Sequence, residues 1–202
     1  MPITNIPYPY TLDTDPRHPW PWHMDAIHIQ QLYRMCERIR PRTVVEVGSY
    51  KGASTSAFVE AMKDGLIQSL ICYEIRPTDE LSRLLFNDWP TGAIELNSHA
   101  YPIIPKYADL ILIDGDHEAG AVADTLAALC MGCPHIVMHD SNSHTLGLGC
   151  HGVRQAVGLL KAHDGRKWCE DITERPGMHT QRGLFYSRER ESLSGWLPGD
   201  LP

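Results

Sequence analysis

Residues 110–120 read LILIDGDHEAG, so four apolar residues run directly into Asp114, Gly115, Asp116 and His117. Ionised groups are costly to bury, and a core strand that ends in two carboxylates and an imidazole calls for a reason. A second apolar run, HIVMH at 135–139, also ends in a carboxylate, at Asp140. Adjacent strands lie about 5 Å apart, so Asp114 and Asp140 can converge. Carboxylate oxygens suit Mg²⁺ or Ca²⁺, and an imidazole titrates close to neutrality. The chemistry open to such a cluster is to hold a divalent cation and to take a proton. Plain structural roles compete with it: Asp116 can N-cap a helix that starts near Glu118, and Asp140 can close an Asx turn. Capping is the better reading of Asp116, and chemistry the better reading of Asp114 and His117.

These residues need strands to carry them, and the sequence supplies a regular alternation. MDAIHIQQLYRMCERI (24–39) spaces Ile27, Leu32, Met35 and Ile39 as a helix does. Strands are predicted at 43–47, 69–75, 93–97, 109–113 and 135–139, with further strands at 167–172 and 182–187. Helices are predicted at 53–62, 79–88, 118–131 and 152–163, with Val122, Leu126, Leu129 and Cys130 on one side of the helix over 118–131. Strands alternating with helices imply an α/β fold with a parallel sheet covered on both faces. Ligands of such folds collect at the carboxyl ends of the strands, which is where the reactive residues fall.

Composition narrows the field. The chain has 202 residues, 43% hydrophobic and 21% charged, which suits one globular domain with a full core. Its net charge of -7 and the lack of any Lys/Arg run argue against a nucleic-acid partner. No apolar run is long enough to span a bilayer, and nothing after the first methionine looks like a secretory leader. Six cysteines without a disulfide-like spacing fit a reduced, cytoplasmic protein. CMGC at 130–133 lacks the second cysteine pair that a zinc site needs. Residues 1–22 hold six prolines, two tyrosines and two tryptophans. They read as an extended arm docked on the body, or as a segment exchanged between subunits of a homo-oligomer. The predicted organisation is thus an arm (1–22), one catalytic domain (23–187) and a polar tail (188–202).

The strand over 43–47 runs into Gly48-Ser-Tyr-Lys-Gly52. Glycines there let the backbone turn and let a ligand come close. The loop has neither the G-x-G-x-x-G spacing of dinucleotide sites nor the P-loop pattern. Glu74, 26 residues beyond Gly48, falls at the end of the next strand. A carboxylate at about that distance commonly accepts both ribose hydroxyls. The alternative is a surface glutamate paired with Arg76; with the glycine loop beside it, the ribose role is preferred.

VVEVGSYKGAST, YEI and DLILIDGDHEAGAVADTL together resemble class I S-adenosylmethionine-dependent methyltransferases, and more narrowly the branch of macrocin-type sugar O-methyltransferases and cephalosporin-hydroxylase-like proteins. The resemblance spans roughly residues 40–187, and IDGDH is its most specific part. It implies a Rossmann-like, seven-stranded, mostly parallel sheet in the order 3-2-1-4-5-7-6. It also implies that Glu46, Gly48, Ser49 and Gly52 line the methionine part of S-adenosylmethionine, that Glu74 holds the ribose, and that Asn97 and Ser98 lie near the adenine. Asp114 belongs to both the cofactor and the catalytic set. Asp114 and Asp140 match metal ligands of metal-assisted relatives, with Asn142 the nearest candidate for a third, and His117 matches a position proposed as the base. Relatives often carry a carboxylate just before the second aspartate or an asparagine just after it, where this chain has His139 and Ser141. His139 is open to three roles: ligand, second base or aromatic wall. The implied reaction is methylation of a hydroxyl on a small molecule or sugar, assisted by a divalent cation such as Mg²⁺. The fold also hosts hydroxylase-like and non-catalytic nucleotide-binding proteins, and the mass gained by a product, one CH₂ or one oxygen, separates the enzymes.

Overall fold

The structure, a computed structural model, describes Met24 and residues 26–86, 92–98, 102–142, 150–163, 167–174 and 181–188. Among the described residues twelve elements follow one another: α1 (Ala26–Ile39), β1 (Thr43–Val47), α2 (Ala53–Lys63), β2 (Ser69–Tyr73), α3 (Asp79–Phe86), β3 (Ala93–Asn97), β4 (Leu110–Ile113), α4 (Ala119–Cys130), β5 (His135–His139), α5 (His151–His163), β6 (Lys167–Glu174) and β7 (Gln181–Arg188). The sheet has seven strands in the order β3-β2-β1-β4-β5-β7-β6. β1 to β5 are parallel, and β7 runs antiparallel between β5 and β6. This is the predicted Rossmann-like architecture. The predicted arm (1–22) and the tail beyond Arg188 lie outside the described residues.

Strand alternation divides the core into two layers. Val44, Leu110, Leu112 and Val137 face α1, α2 and α3, together with Leu32, Phe58 and Leu81. Val45, Val47, Ile111, Ile113, Ile136 and Met138 face α4 and α5, together with Ala128, Val153 and Leu160. The central strands are buried on both sides, which is why β4 reads as an unbroken apolar run and β1 and β5 as mostly apolar ones, broken by Glu46 in β1 and flanked by histidines in β5. Asp109 opens the sheet at its amino edge, where its Oδ2 accepts from the Arg42 and Thr43 amides at 2.8 and 2.9 Å.

The predicted apolar side of α4 is not the side it buries. Ala121, Thr125 and Ala128 are buried, whereas Leu126 is 43% exposed. Small residues let this helix approach the sheet and α5 closely, and the bulkier Val122 and Leu129 sit at the margin. The same face buries the carboxylate of Asp124. Burial first, and the Asp116 charge second, push Asp124 up to about 6 from 3.8. A raised folded-state pKa means that stability from the protonated acid is fully present below pH 3.8 and is lost as pH rises through about 6. At roughly 1.4 kcal/mol per unit, the ionised form costs about 2–3 kcal/mol. Asp124→Asn is therefore expected to raise the melting temperature at pH 8 and to have little effect near pH 4. A thermal-melt series across that range checks this, and an equal loss at both ends would refute it.

Candidate active site

The carboxyl ends of β1, β2, β4 and β5 form one edge, and the predicted residues gather there. The β1 exit turns at Gly48, whose φ is +86° and whose amide donates to the Tyr73 carbonyl at 2.8 Å. A Cβ at Gly48 would overlap the Asp114 backbone, so this glycine lets the β1 and β4 exits touch. Tyr50 (φ +45°) and Gly52 (φ +92°) complete a left-handed loop before α2 begins.

Below the loop, Glu46 faces the α1–α2 side and is fully buried. One oxygen accepts from Ser54 Oγ at 2.5 Å, and the other from Thr55 Oγ1 at 2.7 Å and Ser49 Oγ at 2.8 Å, with Cys72 Sγ at 3.5 Å. Burial raises its pKa, and the hydroxyl donors offset only part of that rise. Glu46 and Ser49 thus spend their polar atoms on each other, tying the loop to the first turn of α2. The run ASTS at 53–56 held a signal for this: it supplies the hydroxyls that a buried acid in TVVEV requires.

Glu74 sits immediately past β2, beside that loop. Its Oε2 accepts from the Tyr50 amide at 2.6 Å and its Oε1 from the Arg76 amide at 2.9 Å. The Arg76 contact is therefore through its backbone. The Glu74 amide donates to the Asn97 carbonyl at 2.9 Å, which places the end of β3 next in line. Asn97 Nδ2 donates to Glu95 Oε1 at 3.0 Å, and Ser98 is exposed. Gly48, Gly52, Glu74 and Asn97 thus lie in sequence along one rim.

Across the β1–β4 junction stands the acidic cluster. His117 Nε2 lies 3.4 Å from Asp140 Oδ2 and 3.7 Å from Asp114 Oδ1. One ligand atom from each of Asp114, His117 and Asp140 lies within 4.8 Å of the other two. The Asp114 carboxylate, opposed by partial burial and helped by Asp140, lifts the His117 pKa above its ordinary value. Burial alone would raise Asp114, but the His139 and His117 imidazoles outweigh it and hold that carboxyl well below the usual range. His117 is also fixed through its backbone: its carbonyl accepts from the Gly152 and Val153 amides at 3.1 and 3.2 Å, at the start of α5. Gly152 has no room for a Cβ, because the Glu118 carbonyl occupies that space. Asp116 is not the N-cap of α4, which is Glu118, but its oxygens accept from the Glu118 and Gly120 amides at 3.1 and 2.9 Å and so hold the entry to the helix.

His139 is the residue whose place the sequence left open. It is 1% exposed on the α1–α2 side of the sheet, with Nδ1 3.1 Å from Asp114 Oδ1 and 3.6 Å from Asp140 Oδ1. His28 of α1 packs edge-on against its ring, the centroids 5.3 Å apart at 81°. His139 therefore supports both carboxylates from beneath, while His117 faces them from the more exposed side.

Residues 45–140 match a family model described as a methyltransferase domain. No curated protein sequence matches the chain. The O-methyltransferase TomG from Streptomyces achromogenes, crystallised with SAM and involved in tomaymycin synthesis, superposes with a TM-score of 0.65 at 14% identity, over 87% of this chain and 86% of that one. The Bacillus cereus O-methyltransferase crystallised with SAH superposes with a TM-score of 0.61 at 14% identity, over 87% of each chain. The Bacillus subtilis tRNA methyltransferase TrmK superposes with a TM-score of 0.50 at 17% identity, over 80% of this chain and 65% of that one. Residues 45–140 thus carry a methyltransferase-domain signature, set in a fold shared with O-methyltransferases.

Proposed function

We propose that the protein is an S-adenosylmethionine-dependent O-methyltransferase acting on a hydroxyl of a small molecule or sugar. The observation that carries this reading is the convergence, on one sheet edge, of the Gly48–Gly52 loop, the Glu74 carboxylate and the Asp114–His117–Asp140 cluster. Glu74 and the Gly48 turn would hold the ribose and methionine parts, with Asn97 and Ser98 toward the adenine. When bound, S-adenosylmethionine supplies a methyl group on an already excellent leaving group. The protein's task is to align the acceptor hydroxyl and remove its proton. His117 is the base in this reading. Asp114 and Asp140 favour its imidazolium form, the state reached once it has taken the proton, as an orienting carboxylate does in a catalytic triad.

The donor set also fits a divalent cation, since one ligand atom from each of Asp114, His117 and Asp140 lies within 4.8 Å of the others. Asp114 and Asp140 would hold it, with Asn142 as third ligand, leaving His117 free for the proton; a cation there would lower the pKa of the acceptor hydroxyl. The acceptor class rests on the sequence resemblance to sugar O-methyltransferases. The fold does not select it, because TrmK shares the fold and is a tRNA methyltransferase.

Titration calorimetry with S-adenosylhomocysteine, in Mg²⁺ and in EDTA, tests the reading. Micromolar binding is expected in both, and Glu74→Ala should weaken it at least tenfold. A folded protein that binds no S-adenosylhomocysteine would overturn the assignment. A Mg²⁺-dependent heat that vanishes in Asp140→Asn is the sign of the metal.

A further inference from the structure

Asp140 is a non-glycine residue at φ +55°, a left-handed conformation that must be held in place by its surroundings. The holding contacts come from the residue that follows. Ser141 is 4% exposed; its amide donates to the Gly183 carbonyl at 3.2 Å, and its Oγ donates to Glu170 Oε1 at 2.6 Å. Gly183 lies in β7 and Glu170 in β6. Glu170 pairs with Phe185 and Gly183 with Ile172, so these four residues share one face of the antiparallel hairpin. A Cβ at Gly183 would collide with Ser141 Oγ and crowd Glu170 Oε1. The hairpin thus offers a notch beside Phe185, and Ser141 plugs it.

We infer that Glu170 and Ser141 are positioning residues that set the Asp140 carboxylate through a clamp between the β5 exit and the β6–β7 hairpin. The O–H···O⁻ bond is charge-assisted and short, the strongest kind a serine can make. It pins the residue next to Asp140 on the side away from the cluster, which leaves the Asp140 carboxylate turned toward His117 and His139. The hairpin is therefore a working part of the site, although no residue of β6 or β7 belongs to the predicted site set. The inference rests on the reading of Asp140 as part of the catalytic cluster.

The test needs neither acceptor nor metal. Ring ¹⁵N resonances of His117 and His139 are recorded at one fixed pH in the wild type, Glu170→Ala, Glu170→Gln and Ser141→Ala. The S-adenosylhomocysteine affinity of each is measured alongside. Glu170→Ala and Ser141→Ala are expected to shift both imidazole signals in the same way, and the double variant to shift them no further. Glu170→Gln keeps an acceptor for the serine hydroxyl and is expected to restore the wild-type positions. Affinity for S-adenosylhomocysteine should stay within about twofold, because the glycine loop is untouched. Unmoved imidazole signals in Glu170→Ala, or a glutamine variant as perturbed as the alanine one, would overturn the clamp. If the wild type binds no S-adenosylhomocysteine, the functional reading fails while the imidazole comparison still decides the clamp.

Discussion

Gly48→Ala is expected to unfold the proposed cofactor edge rather than merely weaken it. Two costs fall on the same atom. At φ +86° an L residue pays about 1–2 kcal/mol for the left-handed backbone. The added Cβ would also overlap the Asp114 backbone and Gly115 Cα, neither of which can swing aside as a side-chain tip would. Relief requires the β1 and β4 exits to separate, and the Asp114 amide donates to the Val47 carbonyl at 2.8 Å at that seam. The total should reach at least about 3 kcal/mol, the range of severe single substitutions. For a chain of this size that corresponds to a fall in melting temperature of roughly 6–12 °C. Because the Tyr50 amide and Glu74 share the same turn, S-adenosylhomocysteine affinity should fall by at least a hundredfold in whatever protein remains folded. Gly65 is the control. It also has positive φ, but a Cβ there meets nothing within 4 Å, so Gly65→Ala should cost only the backbone strain. Equal losses from Gly48→Ala and Gly65→Ala would show that the close approach to Asp114 contributes nothing.

The sheet was legible because its central strands are buried on both faces and so appear as short apolar runs, each ended by a turn residue or a charge. β1, β3 and β5 fall on the residues predicted for them. The site was legible where a polar residue broke such a run at its carboxyl end, as at Asp114 and Asp140. It was less legible where a polar residue faces inward. Glu46 alternates with Val45 and Val47 and so points to the opposite layer, among the α2 hydroxyls. His139 shares its side of β5 with Val137, toward α1, and there it meets His28. Strand period alone gives the direction of both residues; Glu46 finds its hydroxyl partners close by, in the loop and the first turn of α2, whereas the partner of His139 sits on α1, far away in sequence. The same holds for Ser141 and Glu170, which are 29 residues apart and meet only because β7 runs between β5 and β6. The burial face of α4 departs from its apolar side for a different reason: close packing selects its small residues, and hydrophobicity alone points to the larger ones.

The two histidines that flank the carboxylates should separate cleanly when each is removed. His117→Ala takes away the proposed proton acceptor without touching the backbone bonds from Gly152 and Val153, which end on the His117 carbonyl. Its side chain is about one-third exposed, so little packing is lost. The melting temperature should therefore move by only a few degrees, and S-adenosylhomocysteine affinity should stay within about threefold. Methyl transfer from labelled S-adenosylmethionine to an accepted hydroxyl should drop by about 10²–10⁴, the usual worth of a positioned general base. His139→Phe preserves ring shape and loses the nitrogen 3.1 Å from Asp114 Oδ1. That leaves a partly buried carboxylate without its nearest imidazole, at a cost of about 1–3 kcal/mol in stability as well as a loss of turnover. The contrast is what carries the assignment. A catalytic base lowers turnover and spares the fold, whereas a supporting imidazole lowers both. Full turnover in His117→Ala would remove it as the base, and His139, already in reach of both carboxylates, would be the next residue to test in that role.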